Sequence, residues 1–217
     1  MTLDFAFQKS MEKRLAAIRS LAPDKLIPEK DRLGLSITDV KQGGFIRINR
    51  QVKHVQQAGR YDEWNDKFTK KLSGDFACVE FRVLNIETGE RENLEWEIDD
   101  GELSVSASIA RLKFSDLTDD EGEGIDDDDL EQIEEDEDDI FYQGKKFQCD
   151  SDECWSAKYY PQGTRTGEKV YNYEFEAKDG SMITIEEWVQ GDEKYEYQIW
   201  LSEPINPDSI EVIAKGG

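Results

Sequence analysis

The sequence predicts a mainly β protein with an N-terminal α-helix, its strands grouped into two small antiparallel β-domains. Three observations predict it. Turn signals recur about every ten residues along most of the chain, which is the spacing of short antiparallel strands. An aromatic, Glu-rich hairpin pattern occurs twice. Between the two occurrences lies Asp119 to Asp139, in which 15 of 21 residues are Asp or Glu and none is Lys or Arg. The expected division is therefore a helix and connector over 1–32, a first β-domain over 33–118, an acidic linker over 119–139 and a second β-domain over 140–217. A single large sandwich built from all the strands is the alternative.

Apolar residues at Phe7, Met11, Leu15 and Ile18 give Leu3 to Leu21 the period of an amphipathic helix, with Lys9, Lys13, Arg14 and Arg19 mostly off the apolar stripe. Pro23 and Pro28 end it and make Ala22 to Arg32 a connector. Leu33, Leu35 and Ile37 alternate with polar neighbours, and Phe45-Ile46-Arg47-Ile48 returns after Gln42-Gly43-Gly44 as a hairpin partner. An extended piece covers Val52 to Tyr61. Asp62 to Gly74 is ambiguous, because Trp64, Phe68 and Leu72 recur every fourth residue. Strands follow at Phe76 to Asn85, Asn93 to Ile98 and Leu103 to Phe114.

Beyond the acidic stretch the pattern restarts. Ile140 to Tyr142, Lys146 to Cys149, Cys154 to Tyr160, Lys169 to Ala177, Met182 to Val189, Tyr195 to Leu201 and Ile210 to Ala214 read as strands divided by Gly-containing turns, Gly191-Asp192-Glu193 among them. Val79-Glu80-Phe81, a turn at Gly89 and Leu94-Glu95-Trp96-Glu97 parallel Tyr173-Glu174-Phe175, a turn at Gly180 and Ile185-Glu186-Glu187-Trp188. That likeness is the basis for expecting an internal duplication.

Net charge is −23, and removing the 15 acids of the central stretch leaves 35 acids against 27 bases, or −8. This balance argues against binding a nucleic-acid backbone, which needs Lys and Arg at phosphates. It fits a basic protein partner. No segment approaches the roughly 18 consecutive apolar residues of a membrane helix. The amphipathic N-terminal helix is instead a candidate for peripheral contact. An N-terminus without a signal-peptide pattern and three cysteines fit a cytoplasmic protein.

Candidate chemistry is sparse. His54 is the sole histidine, so triads and multi-histidine metal sites have almost nothing to work with. Cys149 and Cys154 bracket a turn, but with Cys78 and His54 they make a poor zinc set; three reduced thiols are expected. Asp119, Glu121, Glu123 and Gly124 match the start of a calcium loop, yet Leu130 stands where its bidentate Glu belongs. No catalytic residue, metal site or cofactor is predicted. Glu80 with Glu95, and Glu174 with Glu186, are expected on common faces of their hairpins, where a carboxylate pair could raise a pKa.

The leading reading is a non-enzymatic protein-interaction module. Its candidate contact residues are the aromatics Tyr159, Tyr160, Trp188 and Trp200, together with Leu130 and Ile133 in an acidic segment expected to be extended. An enzyme using clustered carboxylates and an acidic mimic of DNA are the alternatives. The stretch from Tyr142 through Tyr173-Glu174-Phe175, Gly180 and Ile185-Glu186-Glu187-Trp188 resembles the uncharacterised YjfK-type bacterial proteins, whose genes tend to lie near those for relatives of phage-shock protein A. It is equally similar to another bacterial domain of unknown function with short strands and a Trp-bearing hairpin. The resemblance implies a bacterial, intracellular protein associated with envelope stress, and it brings no catalytic residues.

Overall fold

The alternating runs become strands, and the strands close on themselves. The computed structural model describes residues 5–72, 74, 76–190 and 195–217. Helix α1 spans Phe5–Ser20, and strands β1 Phe45–Ile48, β2 Gln51–Trp64, β3 Ala77–Asn85, β4 Arg91–Asp99, β5 Glu102–Leu112 and β6 Leu117–Thr118 follow. Then come helix α2 (Leu130–Asp136) and strands β7 Ile140–Tyr142, β8 Lys145–Cys149, β9 Trp155–Pro161, β10 Glu168–Glu176, β11 Met182–Val189, β12 Tyr195–Pro204 and β13 Glu211–Ala214. The ends predicted for Phe76 to Asn85 and Met182 to Val189 fall within a residue of the observed ones. Leu33 to Ile37 forms no strand; Ile37–Asp39 is a single tight turn of helix capped by Ser36. The predicted first helical residues, Leu3 and Asp4, and the turn at Gly191-Asp192-Glu193 lie outside the described residues.

Local chemistry fixes the hairpins. Asp99 pairs with Glu102, so Asp100-Gly101 is a two-residue connection. Both residues have positive φ, 47° and 83°, the conformation whose twist matches that of the flanking strands.

Two four-stranded meanders, β2 to β5 and β9 to β12, are joined at both sides. β5 pairs antiparallel with β12, and β2 with β9. The ring β2-β3-β4-β5-β12-β11-β10-β9 thus returns to β2, a closed barrel of eight strands among the described residues. This corrects the expectation of two separate small domains and replaces the sandwich alternative. Either meander alone would expose two unpaired edges, and closing each edge on the other half satisfies those backbone groups. Exchanging the two meanders maps the ring onto itself.

The barrel wall is apolar on its outside. Phe81, Leu94, Trp96 and Val105 pack outward against Ile37, Val40, Ile46, Ile48, Ile210 and Val212. On the other half Tyr173, Phe175, Ile183, Ile185 and Ile199 pack against Leu117, Ile125, Leu130, Ile133, Ile140 and Phe147. The acidic stretch is therefore folded over the barrel, not extended. Its few apolar residues bury a surface that the barrel needs covered, while Asp126 to Asp129 stay exposed. That burial outweighs like-charge repulsion, which water and salt screen at an exposed surface. Leu130, 1% exposed, and Ile133 are core residues and not free anchors.

Helix α1 lies at the periphery. Arg14 Nε donates to the Ile86 carbonyl at 2.6 Å and Ala17 is buried. Phe7, Leu15 and Ile18 of the predicted apolar stripe are exposed. No helix of the described residues is long and apolar enough to cross a membrane.

Candidate ligand site inside the barrel

Strand alternation sends one set of side chains outward to the apolar layers and the other into the lumen. The register identifies the inner set. Glu80 stands opposite Glu95, Glu95 opposite Ser106, and Arg82 opposite Asn93. On the second meander Asn172 pairs with Glu186, Glu174 with Thr184, and Glu186 with Gln198. These residues line one cavity of about 330 Å³ to which all eight strands of the ring contribute. A second cavity of about 410 Å³, which shares Glu95, Ser106, Glu174, Met182 and Ser202, continues it past Glu97 and Glu153 to one end of the barrel.

Glu186 is held by three donors. Tyr61 Oη donates to its Oε1 at 3.2 Å, and Trp188 Nε1 and Trp200 Nε1 donate to its Oε2 at 3.0 and 3.2 Å. Trp155 Nε1 donates to Glu174 at 2.8 Å, and Arg82 Nε to Glu80 at 3.1 Å. Glu95 meets only a weak donor among the described residues, the Cys78 thiol. Tyr61, Tyr159, Trp155 and Trp188 pack together at one side of the lumen, with Tyr61 and Tyr159 ring centres 4.8 Å apart and Tyr159 and Trp188 5.6 Å apart.

Crowding carboxylates in an enclosed space disfavours their charged forms. Burial, followed by the charges of Glu174, Glu186 and Glu97, holds Glu95 well above the usual carboxylate range. Burial pushes Glu97 up to about 7, with Asp99 adding to it. Burial also pushes Glu174 up to about 8, against the opposing hydrogen bond from Trp155. Glu186 is raised by burial despite its three donors. The Cys78 thiol and Tyr61 phenol are raised by burial and by these same acids.

Three of the four aromatics singled out from sequence, Tyr159, Trp188 and Trp200, converge in this lumen; Tyr159 and Trp188 are buried and form no exposed face. Tyr160, the neighbour of Tyr159, points to the other side of the wall, with the Arg60 guanidinium 4.6 Å from its ring centre. Leu130 and Ile133 lie outside the lumen in the layer beneath the acidic segment. The two Glu pairs do share faces, and both faces are the lumen. Sequence reasoning missed Tyr61, Trp155, Asn172 and Arg82. The signal for Arg82 was available in the period of two through Cys78, Glu80 and Arg82.

His54 is half-buried on β2, stacked on Phe45 at 4.5 Å, and burial lowers its pKa. The three cysteines are free thiols. Asp119 Oδ1 accepts from the backbone N–H of Glu121 and of Glu123, so the resemblance to a calcium loop is an ordinary turn. No group of three or more His, Cys, Asp or Glu among the described residues is placed to hold a metal ion.

Residues 42–207 match the family described as Domain of unknown function (DUF4178). The chain belongs to the DUF4178 family. The matched span runs from the turn before β1 to just past the end of β12 and so contains every strand of the ring and every lumen residue named above. Searches of curated proteins and of solved structures return no match. In this chain the DUF4178 span forms an eight-stranded barrel whose polar interior is built by both halves of the chain.

Proposed function

We propose that this DUF4178 protein is a non-enzymatic binding protein whose ligand is a small polar molecule held inside the barrel. The observation that carries the reading is the convergence of carboxylates, indoles, phenols, hydroxyls and amides from all eight strands on one cavity. A volume of about 330 Å³ lies within the range of small-molecule sites. Trp155, Trp188 and Trp200 donate their indole N–H groups to lumen carboxylates, so their NMR resonances report on occupancy. A dialysable extract of bacterial cells should shift these three resonances while leaving Trp96, on the outer face, in place. Lumen resonances that stay fixed contradict the reading.

A second reading, acid-base catalysis, is favoured by Glu97 at about 7 and Glu174 at about 8, near the pH at which a general acid or base works best. Conversion of the captured molecule, lost in Glu174→Gln, would establish it. On the exterior, the exposed Asp126 to Asp129 fit a basic protein partner, tested by pull-down at low and moderate salt. Phe7, Leu15 and Ile18, exposed beside Lys9 and Lys13, support peripheral contact through α1. The proposal also includes the bacterial, envelope-stress setting implied by the YjfK-type resemblance. An origin of the meanders by duplication is supported by their equivalent places in the ring. The registers, however, differ by two residues: Glu80 faces Glu95, whereas Glu174 faces Thr184.

A further inference from the structure

The lumen has an uneven inventory of charge. Six carboxylates line it, Glu168 and Glu196 exposed and Glu80, Glu95, Glu174 and Glu186 further in, against one cation among the described residues, Arg82, which is paired with Glu80 and has a largely exposed side chain. Glu186 already accepts from Tyr61, Trp188 and Trp200. Glu95 on β4 and Glu174 on β10 stand on opposite strands of the ring, line both cavities, and carry between them only the Trp155 N–H and the Cys78 thiol as donors among the described residues. That pair lacks a cation.

A second observation is independent of the acids. Asn172, 3% exposed, lies in register opposite Glu186 and lines the same cavity, and its Nδ2 has no hydrogen-bond partner among the described residues. A buried amide donor left unpaired costs free energy that an acceptor oxygen on a ligand would recover. Around it stand neutral polar groups, Ser106, Ser108, Thr184, Gln198 and Ser202. Ser202 Oγ donates to Ser108 Oγ at 3.4 Å, and a bare alkyl cation would offer the rest no hydroxyl to bond.

Resting on the reading of the lumen as a binding site, we propose that its ligand is a small hydroxylated organic ammonium of amino-sugar or amino-alcohol type. The ammonium sits between Glu95 and Glu174, and a ligand oxygen accepts from Asn172 Nδ2. An ammonium offers three donors, enough to satisfy both carboxylates at once. Its charge also reverses the repulsion between the pair, since a cation favours the ionised form of each.

The test titrates the full chain with D-glucosamine, D-glucose and n-butylammonium, following the indole resonances of Trp155, Trp188 and Trp200 with Trp64 and Trp96 as controls. Glucosamine should shift the three lumen indoles and bind roughly tenfold or more tightly than glucose, with butylammonium between them, as expected for a charge-assisted contact in an enclosed site. Glu95→Gln should weaken glucosamine by a similar factor and leave glucose unchanged. Asn172→Asp, which removes the amide donor and adds a charge, should favour butylammonium relative to glucosamine. Glucose binding as tightly as glucosamine, or glucosamine unaffected by Glu95→Gln, overturns the proposal while leaving the lumen a binding site. Shifts confined to Trp64 and Trp96 overturn the lumen reading itself. No shift from any of the three probes overturns the proposal.

Discussion

Replacing Glu174 with Gln keeps an acceptor for Trp155 Nε1 and removes the group's charge. In the folded protein Glu174 is pushed up from 4.5 to about 8, by burial first and by Glu97, Cys154 and Glu153 after it. Glu95 stands on the opposite strand of the ring and lines the same lumen. Below pH 4.5 the carboxyl is protonated both folded and unfolded and contributes nothing to pH dependence. Between 4.5 and 8 the unfolded chain ionises while the fold keeps its proton, so wild-type stability falls as pH rises, and above 8 the loss is complete. At about 1.4 kcal/mol per unit the whole shift is worth at most roughly 5 kcal/mol. The open end of the lumen admits water that screens the group, which leaves an expected effect of about 1 to 2 kcal/mol near neutral pH. Glu174→Gln should therefore melt about 2 to 8 °C above wild type at pH 8, with the gap closing towards pH 5.5. The net charge of −23 also makes wild type less stable at high pH, so the melts are run in moderate salt, where that repulsion is screened in both proteins. A gap that stays constant across the pH range would refute the enclosed carboxylate.

Glu186→Leu leaves Tyr61, Trp188 and Trp200 without their acceptor and should cost about 2 kcal/mol or more by denaturant titration, whereas Glu186→Gln should cost much less. Leu130→Ala should lower stability by about 2 to 5 kcal/mol, because the side chain is fully buried against the barrel; replacement of Asp127 and Asp128 by Ser should change melting little, and the reverse order would contradict a folded acidic segment. At Gly59 an added Cβ would lie 2.2 Å from the Tyr159 hydroxyl oxygen, so Gly59→Ala should destabilise by about 1 to 3 kcal/mol and broaden or shift the lumen indole resonances.

Much of the fold was legible because strand and turn signals are local. Asp99-Asp100-Gly101 and the alternation in Met182 to Val189 specify a hairpin and a strand whatever surrounds them. Ring closure was not legible, since the pairing of Arg111 with Trp200 joins residues 89 positions apart and no local pattern encodes it. The site was half legible for a related reason. Alternation placed Glu80 and Glu95 on one face and Phe81 and Leu94 on the other, but period two does not say which face is enclosed. A Glu-bearing strand face is ordinarily solvated; here apolar outer layers, supplied by β1, β13 and the acidic segment, leave the polar face inside. Leu130 and Ile133 show the same limit, since three or four apolar residues in a run of acid read as a solvated tether until the surface they cover is known.

The central claim, that carboxylates from both halves converge inside one closed barrel, is tested most directly by NMR titration of the Glu side-chain carboxyl carbons, with Glu97→Gln and Glu174→Gln used for assignment. Two resonances titrating near pH 7 and pH 8, Glu97 and Glu174 respectively, and a third, Glu95, still protonated well above the ordinary carboxylate range, are the predicted result. A titration in which every Glu carboxyl ionises below about pH 5, as solvated groups do, would contradict it.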